Sequence, residues 1–211
     1  MLALMFGVTH ETLAAEQFGL FQKQKNIGVT PKKGSAKYDP LTGEYSVTGG
    51  GANMWFQTDA FEFLYRKISG DVSFSADVDF VGKGTEQHRK AALMIRQSLD
   101  ANSAYADVAR HGDGLTSLQY RETAGATTLE MRSDVKAPIR IHIERHGSQF
   151  TISAGNNADD MKTTGPVTVT MQDPVYIGLA VCSHNAKVLE TAVFSNVRLI
   201  PDTKQPNKEA R

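Results

Sequence analysis

One ten-residue run does most to limit what this chain can fold into. In Asp71–Phe80, DVSFSADVDF, the residues Val72, Phe74, Ala76, Val78 and Phe80 fall on one side, and Ser73, Ser75, Asp77 and Asp79 on the other. Alternation of period two marks a strand with one face in a core and the other in water. The period recurs where Ile139, Ile141 and Ile143 alternate with Arg140, His142 and Glu144, and where Phe150 and Ile152 alternate with Thr151 and Ser153. Between Val175 and Cys182 both alternating sets are mostly apolar, which predicts a central strand covered on each side. Further strands are expected at Tyr45–Thr48, Phe61–Ile68, Ala91–Gln97, Tyr105–Arg110, Ser117–Arg121, Thr128–Arg132, Val167–Thr170 and Glu190–Leu199. Gly, Asn, Asp and Pro punctuate nearly every gap, supplying the positive φ and local hydrogen bonds of turns. The Lys- and Gly-rich stretch Gln22–Ser35 reads as a loop, and no segment carries a sustained helical stripe. About a dozen short strands at 8–12-residue spacing predict an all-β sandwich or barrel, and 211 residues suit one such domain.

Charge narrows the function. Lys plus Arg and Asp plus Glu number 23 each, so the formal net charge is zero. A nucleic-acid binder should carry a basic surplus or a basic face; here basic and acidic residues are interspersed, and no nucleic-acid partner is expected. The single cysteine, Cys182, sits in the apolar run PVYIGLAVCSH and reads as a small buried hydrophobe. No apolar run approaches the ~18–20 residues of a membrane span. Residues 1–17, opening MLALMFGV, read as a signal-peptide remnant without its basic region, the alternatives being a first strand or a disordered lead. That favours an extracytoplasmic, periplasmic or secreted, location. Residues 18–200 form the expected domain, and 201–211 a polar tail.

Four phrases, in order, carry a resemblance. They are GGGANMW followed by TDAFEFLYRKISGD, then AALMIRQSLD with Tyr105 and Ala106, then HGDGLTSLQYRE, then DPVYIGLAVCSH with ETAVFSNV. Over roughly Phe18 to Ile200 the chain resembles a family of concanavalin A-like β-sandwich domains of unknown function. Its secreted bacterial members are often labelled "TolB-like" or "biopolymer transporter", and a eukaryotic protein implicated in enolase regulation falls in a similar group. The resemblance implies a two-sheet antiparallel jelly roll of the lectin and glucanase type. Relatives place a Trp after the strand at Phe150–Ser153 where this chain has Met161.

Catalysis finds little support in the residues. The E-x-D-x-x-E strand of laminarinase-like relatives is missing, as is a G-x-S-x-G elbow. Asp77 and Asp79 lie ~6.6 Å apart along one strand face, a spacing open to a glycosidase pair but ordinary on solvated strands. His142 and His146 would be ~13 Å apart on a strand, too far for one ion. His88, His111 and His184 fall in or beside loops with no carboxylate at ligand spacing, so no metal or cofactor is expected. Asp71, Asp100, Asp113 and Asp173 at strand ends form no dense calcium loop. The site expected instead is a binding groove. Trp55, Arg96, Gln119, Arg121 and His184 should line one concave face, the indole for a sugar ring and the polar groups for its hydroxyls. Trp55 and the arginines each have a structural alternative, Trp55 as a core or loop anchor and the arginines pairing with Glu62, Asp107 or Glu122. The leading reading is a non-catalytic carbohydrate-binding module. The alternatives are a structural or protein-interaction domain of the cell envelope and, behind it, an uncharacterised glycoside hydrolase.

Overall fold

The structure, a computed structural model, describes residues 17–202. The expectations for a signal remnant and for the end of the polar tail therefore lie outside the described residues. Strands are numbered in chain order. Seven form sheet A, in spatial order β1 (Lys23–Ile27), β6 (Phe61–Ile68), β15 (Val175–Cys182), β8 (Lys90–Arg96), β9 (Tyr105–His111), β10 (Thr116–Arg121) and β11 (Leu129–Arg132). Seven form sheet B, in the order β14 (Lys162–Thr168), β13 (Gln149–Gly155), β12 (Arg140–His146), β7 (Val72–Phe80), β16 (Glu190–Pro201), β3 (Glu44–Gly49) and β2 (Ser35–Asp39). All pairings are antiparallel, including a two-stranded hairpin of β4 (Met54–Trp55) and β5 (Thr58–Asp59).

The period-two pattern is what closes the sandwich. On β7, Val72, Phe74, Ala76 and Val78 are buried, and they pack with Ile141, Ile143, Phe150 and Phe194 of sheet B against Leu64, Leu93, Ile95, Val108 and Leu179 of sheet A. Each large apolar side chain buried this way contributes about 1.5–3 kcal/mol. Two strands escape the sequence pattern: β1 and β2, KQKNI and SAKYD, each an outermost strand of its sheet. An edge strand pairs on one side only and tolerates Lys at its rim, so its apolar signal is thin. The expected loop at Gln22–Ser35 thus contains β1 and the start of β2. The hairpin of β4 and β5, too short for any periodicity, was likewise not expected.

Strand β15 sits third in sheet A and is covered on both faces, as its double apolar pattern requires. The second cover is a separate apolar cluster on the outer side of sheet A, including Phe61, Phe63, Met94, Tyr105 and Cys182. The segment over part of it comes from the glycine run after β3. Gly51 adopts φ +111°, and a Cβ there would stand 1.9 Å from the Ala60 carbonyl oxygen. Only glycine fits. The chain then crosses to sheet A, and its return is stitched by Ala60 N–H to Asn53 O (2.7 Å), Asp59 N–H to Ala101 O (2.8 Å) and Thr128 N–H to Phe56 O (2.9 Å).

Candidate functional site

The outer side of sheet A carries polar groups that a sandwich core cannot accept. Alternation places Lys90 and Arg96 of β8, Asp107 and His111 of β9, and Gln119 and Arg121 of β10 on this side, beside Ala92, Met94, Tyr105 and Ala109. Arg96 and Arg121 are both 0% exposed. Arg121 grips Asp59 with two bonds, Nη2–Oδ1 at 2.7 Å and Nη1–Oδ2 at 2.9 Å. It also donates to the carbonyls of Phe56, Ala126 and Ser103. Arg96 donates to Ser98 O and Asp100 O and lies 3.5 Å from Asp59 Oδ2. These two expected groove residues are therefore bolts beneath the surface. Their common partner is Asp59, in place of the expected Glu62, Asp107 or Glu122.

Further along the same side, at the Lys90–His111 end of β8 and β9, lies a hollow of about 210 Å³, lined among others by Trp55, Lys90, His111, Gln119, Glu130 and His184. Of the five residues the sequence nominated, Trp55, Gln119 and His184 line it. Trp55 is half-buried, with Lys90 Nζ 5.7 Å from its ring centre. Trp55, Asn53 and His184 also form the wall towards an adjoining, larger hollow of about 690 Å³. Lys90, which carries no sequence signal beyond its place on a strand, is buried and donates to Asn53 Oδ1 at 2.6 Å.

Three histidines that the sequence leaves in or beside loops with no carboxylate at ligand spacing come together in the structure. His88 lies between His111 and His184, each ring centre 5.6 Å from its own. His88 Nδ1 is 3.3 Å from His111 Nδ1, and a carboxylate oxygen of Asp113 joins their ligating atoms within 4.8 Å. The missing signal is tertiary: the loop before β8 folds back on the β9–β10 turn. Burial, with the nearby Lys90 ammonium, holds the His111 imidazole down at about 3, so the ring is neutral. Burial likewise lowers Lys90 and raises Asp107 well above its ordinary value. Both Asp107 oxygens and Gln119 Oε1 are buried without a hydrogen-bond partner. Amides, neutral imidazoles and an ammonium around an indole can donate to and accept from hydroxyl groups while the ring takes an apolar face.

The remaining candidates are accounted for locally. Asp77 pairs with Arg140 (2.6 Å) and Asn196. His142 meets Ser73 Oγ at 2.8 Å, whereas His146 faces Asp71. Asp173 is bound by Arg145 at 2.7 Å and Asp100 by Ser98. Burial pushes the Cys182 thiol up to about 11, as for an inert core cysteine. Met161 lies in the β13–β14 turn of sheet B, so a Trp there would not belong to this face.

No known family pattern matches the chain, and no curated protein does. Solved structures do. A functionally unknown protein from Saccharomyces cerevisiae is similar with a TM-score of 0.61 at 13% identity, over 82% of this chain and 95% of that one. A prokaryotic β-1,3-1,4-glucanase (lichenase) derived from a mouse hindgut metagenome is similar at 0.53 and 10%, over 85% and 92%. A carbohydrate binding module from Bacillus subtilis is similar at 0.50 and 18%, over 83% and 94%. At such identities the likeness speaks to fold alone, and the fold is the all-β, two-sheet jelly roll of the concanavalin A-like lectin and glucanase type.

Proposed function

We propose that this chain is a non-catalytic glycan-binding module whose site is the hollow on the outer side of sheet A. The observation that carries the reading is the single indole, half-buried in the wall between two hollows and ringed by hydrogen-bonding side chains. That is the chemistry of a sugar ring lying on an aromatic face with its hydroxyls held by placed polar groups. Among the described residues Glu130 is the only carboxylate lining the hollow, and its partner Arg132 holds it at 2.7 Å. A glycosidase needs two carboxylates across the bond, which favours binding over cleavage. The enzymes among the similar folds have no bearing on this, since a shared fold transfers no activity.

The test is a titration of Trp55 emission against a panel of soluble glycans, paired with calorimetry. The expected result is a saturable emission shift and binding heat with at least one glycan, the heat lost on Trp55→Ala and both weakened on Gln119→Ala. Heat and emission unchanged across the panel would sink the reading. A protein-docking role in the cell envelope would then stand first, because Phe56 (61% exposed) and Val29 (80% exposed) offer an apolar rim to the larger hollow. Two finer proposals accompany the main one. An extracytoplasmic location rests on the apolar MLALMFGV start and is tested by a fusion reporter. Grouping with the "TolB-like" and enolase-regulator-like domains is a proposal that rests on the resemblance of the phrases AALMIRQSLD and HGDGLTSLQYRE alone, which build β8, the turn after β9, and β10.

A further inference from the structure

Beside the hollow, two separate loops bring together three side chains in an arrangement that glycan binding does not require. His88 belongs to the loop before β8, His111 ends β9, and Asp113 lies in the turn to β10. The 3.3 Å between His88 Nδ1 and His111 Nδ1 is informative. Two nitrogens held at ~2.0–2.1 Å by one tetrahedral zinc stand about 3.3–3.4 Å apart.

The backbone keeps them there. Gly112 N–H donates to Arg89 O at 3.0 Å and Asp113 N–H to Gln87 O at 2.9 Å, so the neighbours of His88 are stitched to those of His111. Arg89 is anchored in turn by Glu190 at 2.7 Å and by Gly82 O at 3.0 Å. Asp113 Oδ1 accepts from Leu115 N–H at 3.0 Å, which orients the carboxylate.

Gln119 supplies the outer partner that a metal-binding histidine needs. Its amide nitrogen lies 3.1 Å from His111 Nε2, while its Oε1 is buried without a partner. A half-turn of the amide sets Oε1 against His111 Nε2. That nitrogen then carries the proton and leaves the Nδ1 lone pair free for a metal. The same turn exchanges an unpaired buried acceptor for a donor, next to the cross-strand neighbour Asp107 with its two unpaired oxygens.

We propose that His88 Nδ1, His111 Nδ1 and an Asp113 carboxylate oxygen form a site for a zinc-type divalent transition metal, with a fourth position open to the hollow. The two-nitrogen, one-oxygen set suits zinc over magnesium or calcium, which prefer all-oxygen shells. The Lys90 and Arg132 charges nearby act against cation affinity, and Glu130, paired with Arg132, offsets part of that.

The experiment titrates zinc alone, without any sugar, into the chelator-stripped full chain by calorimetry, and repeats it with cobalt to read the visible bands of a tetrahedral site. One equivalent should bind. Gln119→Leu should weaken binding about 10–100-fold, the cost of losing an outer partner. His88→Ala and Asp113→Asn should weaken it further, while His146→Ala on β12 leaves it unchanged. His88 is exposed in a loop, so its removal should spare the fold, which a melting curve verifies. Absence of stoichiometric binding would overturn the proposal. So would wild-type affinity in His88→Ala, which would assign the metal to other histidines.

Discussion

Arg121 illustrates how far a residue's type can be read and its partner cannot. Its position on an alternating strand puts it on the same side as Gln119, and that much follows from the period. Its partner Asp59 is 62 residues away in a hairpin with no periodic signal, so a binding arginine and a buried bolt look alike in sequence. Removing one member of a buried pair leaves an uncompensated charge and costs about 3–5 kcal/mol. Arg121→Ala should lose that much in urea unfolding, and Arg121→Lys should recover little, because an ammonium cannot match the two-pronged grip on Asp59. A loss under ~1 kcal/mol would show that the cluster does not hold the fold. Glu62 makes a second case. It is buried with both oxygens unpaired, and burial pushes its carboxyl up from 4.5 to about 7 against the opposing Lys33 charge. Between pH 4.5 and 7 the folded chain then holds a proton that the unfolded chain has lost. Its contribution is full below pH 4.5 and falls as pH rises to about 7. Wild type minus Glu62→Gln, compared by urea midpoints, should decline across that window and be flat on either side. A difference that rises with pH would mean that Glu62 is paired.

At the scale of elements, legibility tracks how many faces a strand buries. Strands β6 and β15 match their expected limits, Phe61–Ile68 and Val175–Cys182, because both are interior to sheet A and surrounded by apolar neighbours. The edge strands β1 and β2, paired on one side, left almost no trace. The hairpin of β4 and β5 is the most consequential omission, since it carries Trp55 over sheet A. Only its glycine run was visible in the sequence, and a turn was all it implied. Gly51→Ala tests what that run does. The new Cβ would meet the Ala60 carbonyl oxygen at 1.9 Å in a backbone conformation that side chains rarely adopt. The cover should shift, moving Trp55 emission to the red, while the far-UV circular dichroism of the sandwich is retained. Unchanged emission would mean that the segment accommodates the methyl group without moving. By contrast, Phe74→Ala strikes the core between the sheets and should cost about 3–5 kcal/mol with the Trp55 environment intact in the folded state.

The whole molecule was legible as a sandwich because about a dozen strands alternate with period two or carry apolar residues on both faces, those of sheet B most plainly apolar in and polar out. The candidate face was legible only in part, in Trp55, Gln119 and His184 but not in Lys90 or the His88–His111 pair, because it depends on a cover that departs from this pattern and on loops brought together by tertiary folding. The cover raises a question of cooperativity that the single indole can answer. A two-stranded hairpin is marginal on its own, and this one relies on Asp59 being held by Arg96 and Arg121 from β8 and β10. If those bonds couple the cover to sheet A, Trp55 fluorescence and far-UV circular dichroism should trace one urea transition, as two-state unfolding requires. In Arg121→Ala the curves should separate, with the indole signal changing at lower urea than the sheet signal, because the local opening free energy has fallen below the global one. An indole transition that already precedes the sheet transition in the wild type would show the opposite. The cover would then open independently of the sandwich, and the Arg–Asp cluster would serve the stability of sheet A rather than the placement of Trp55.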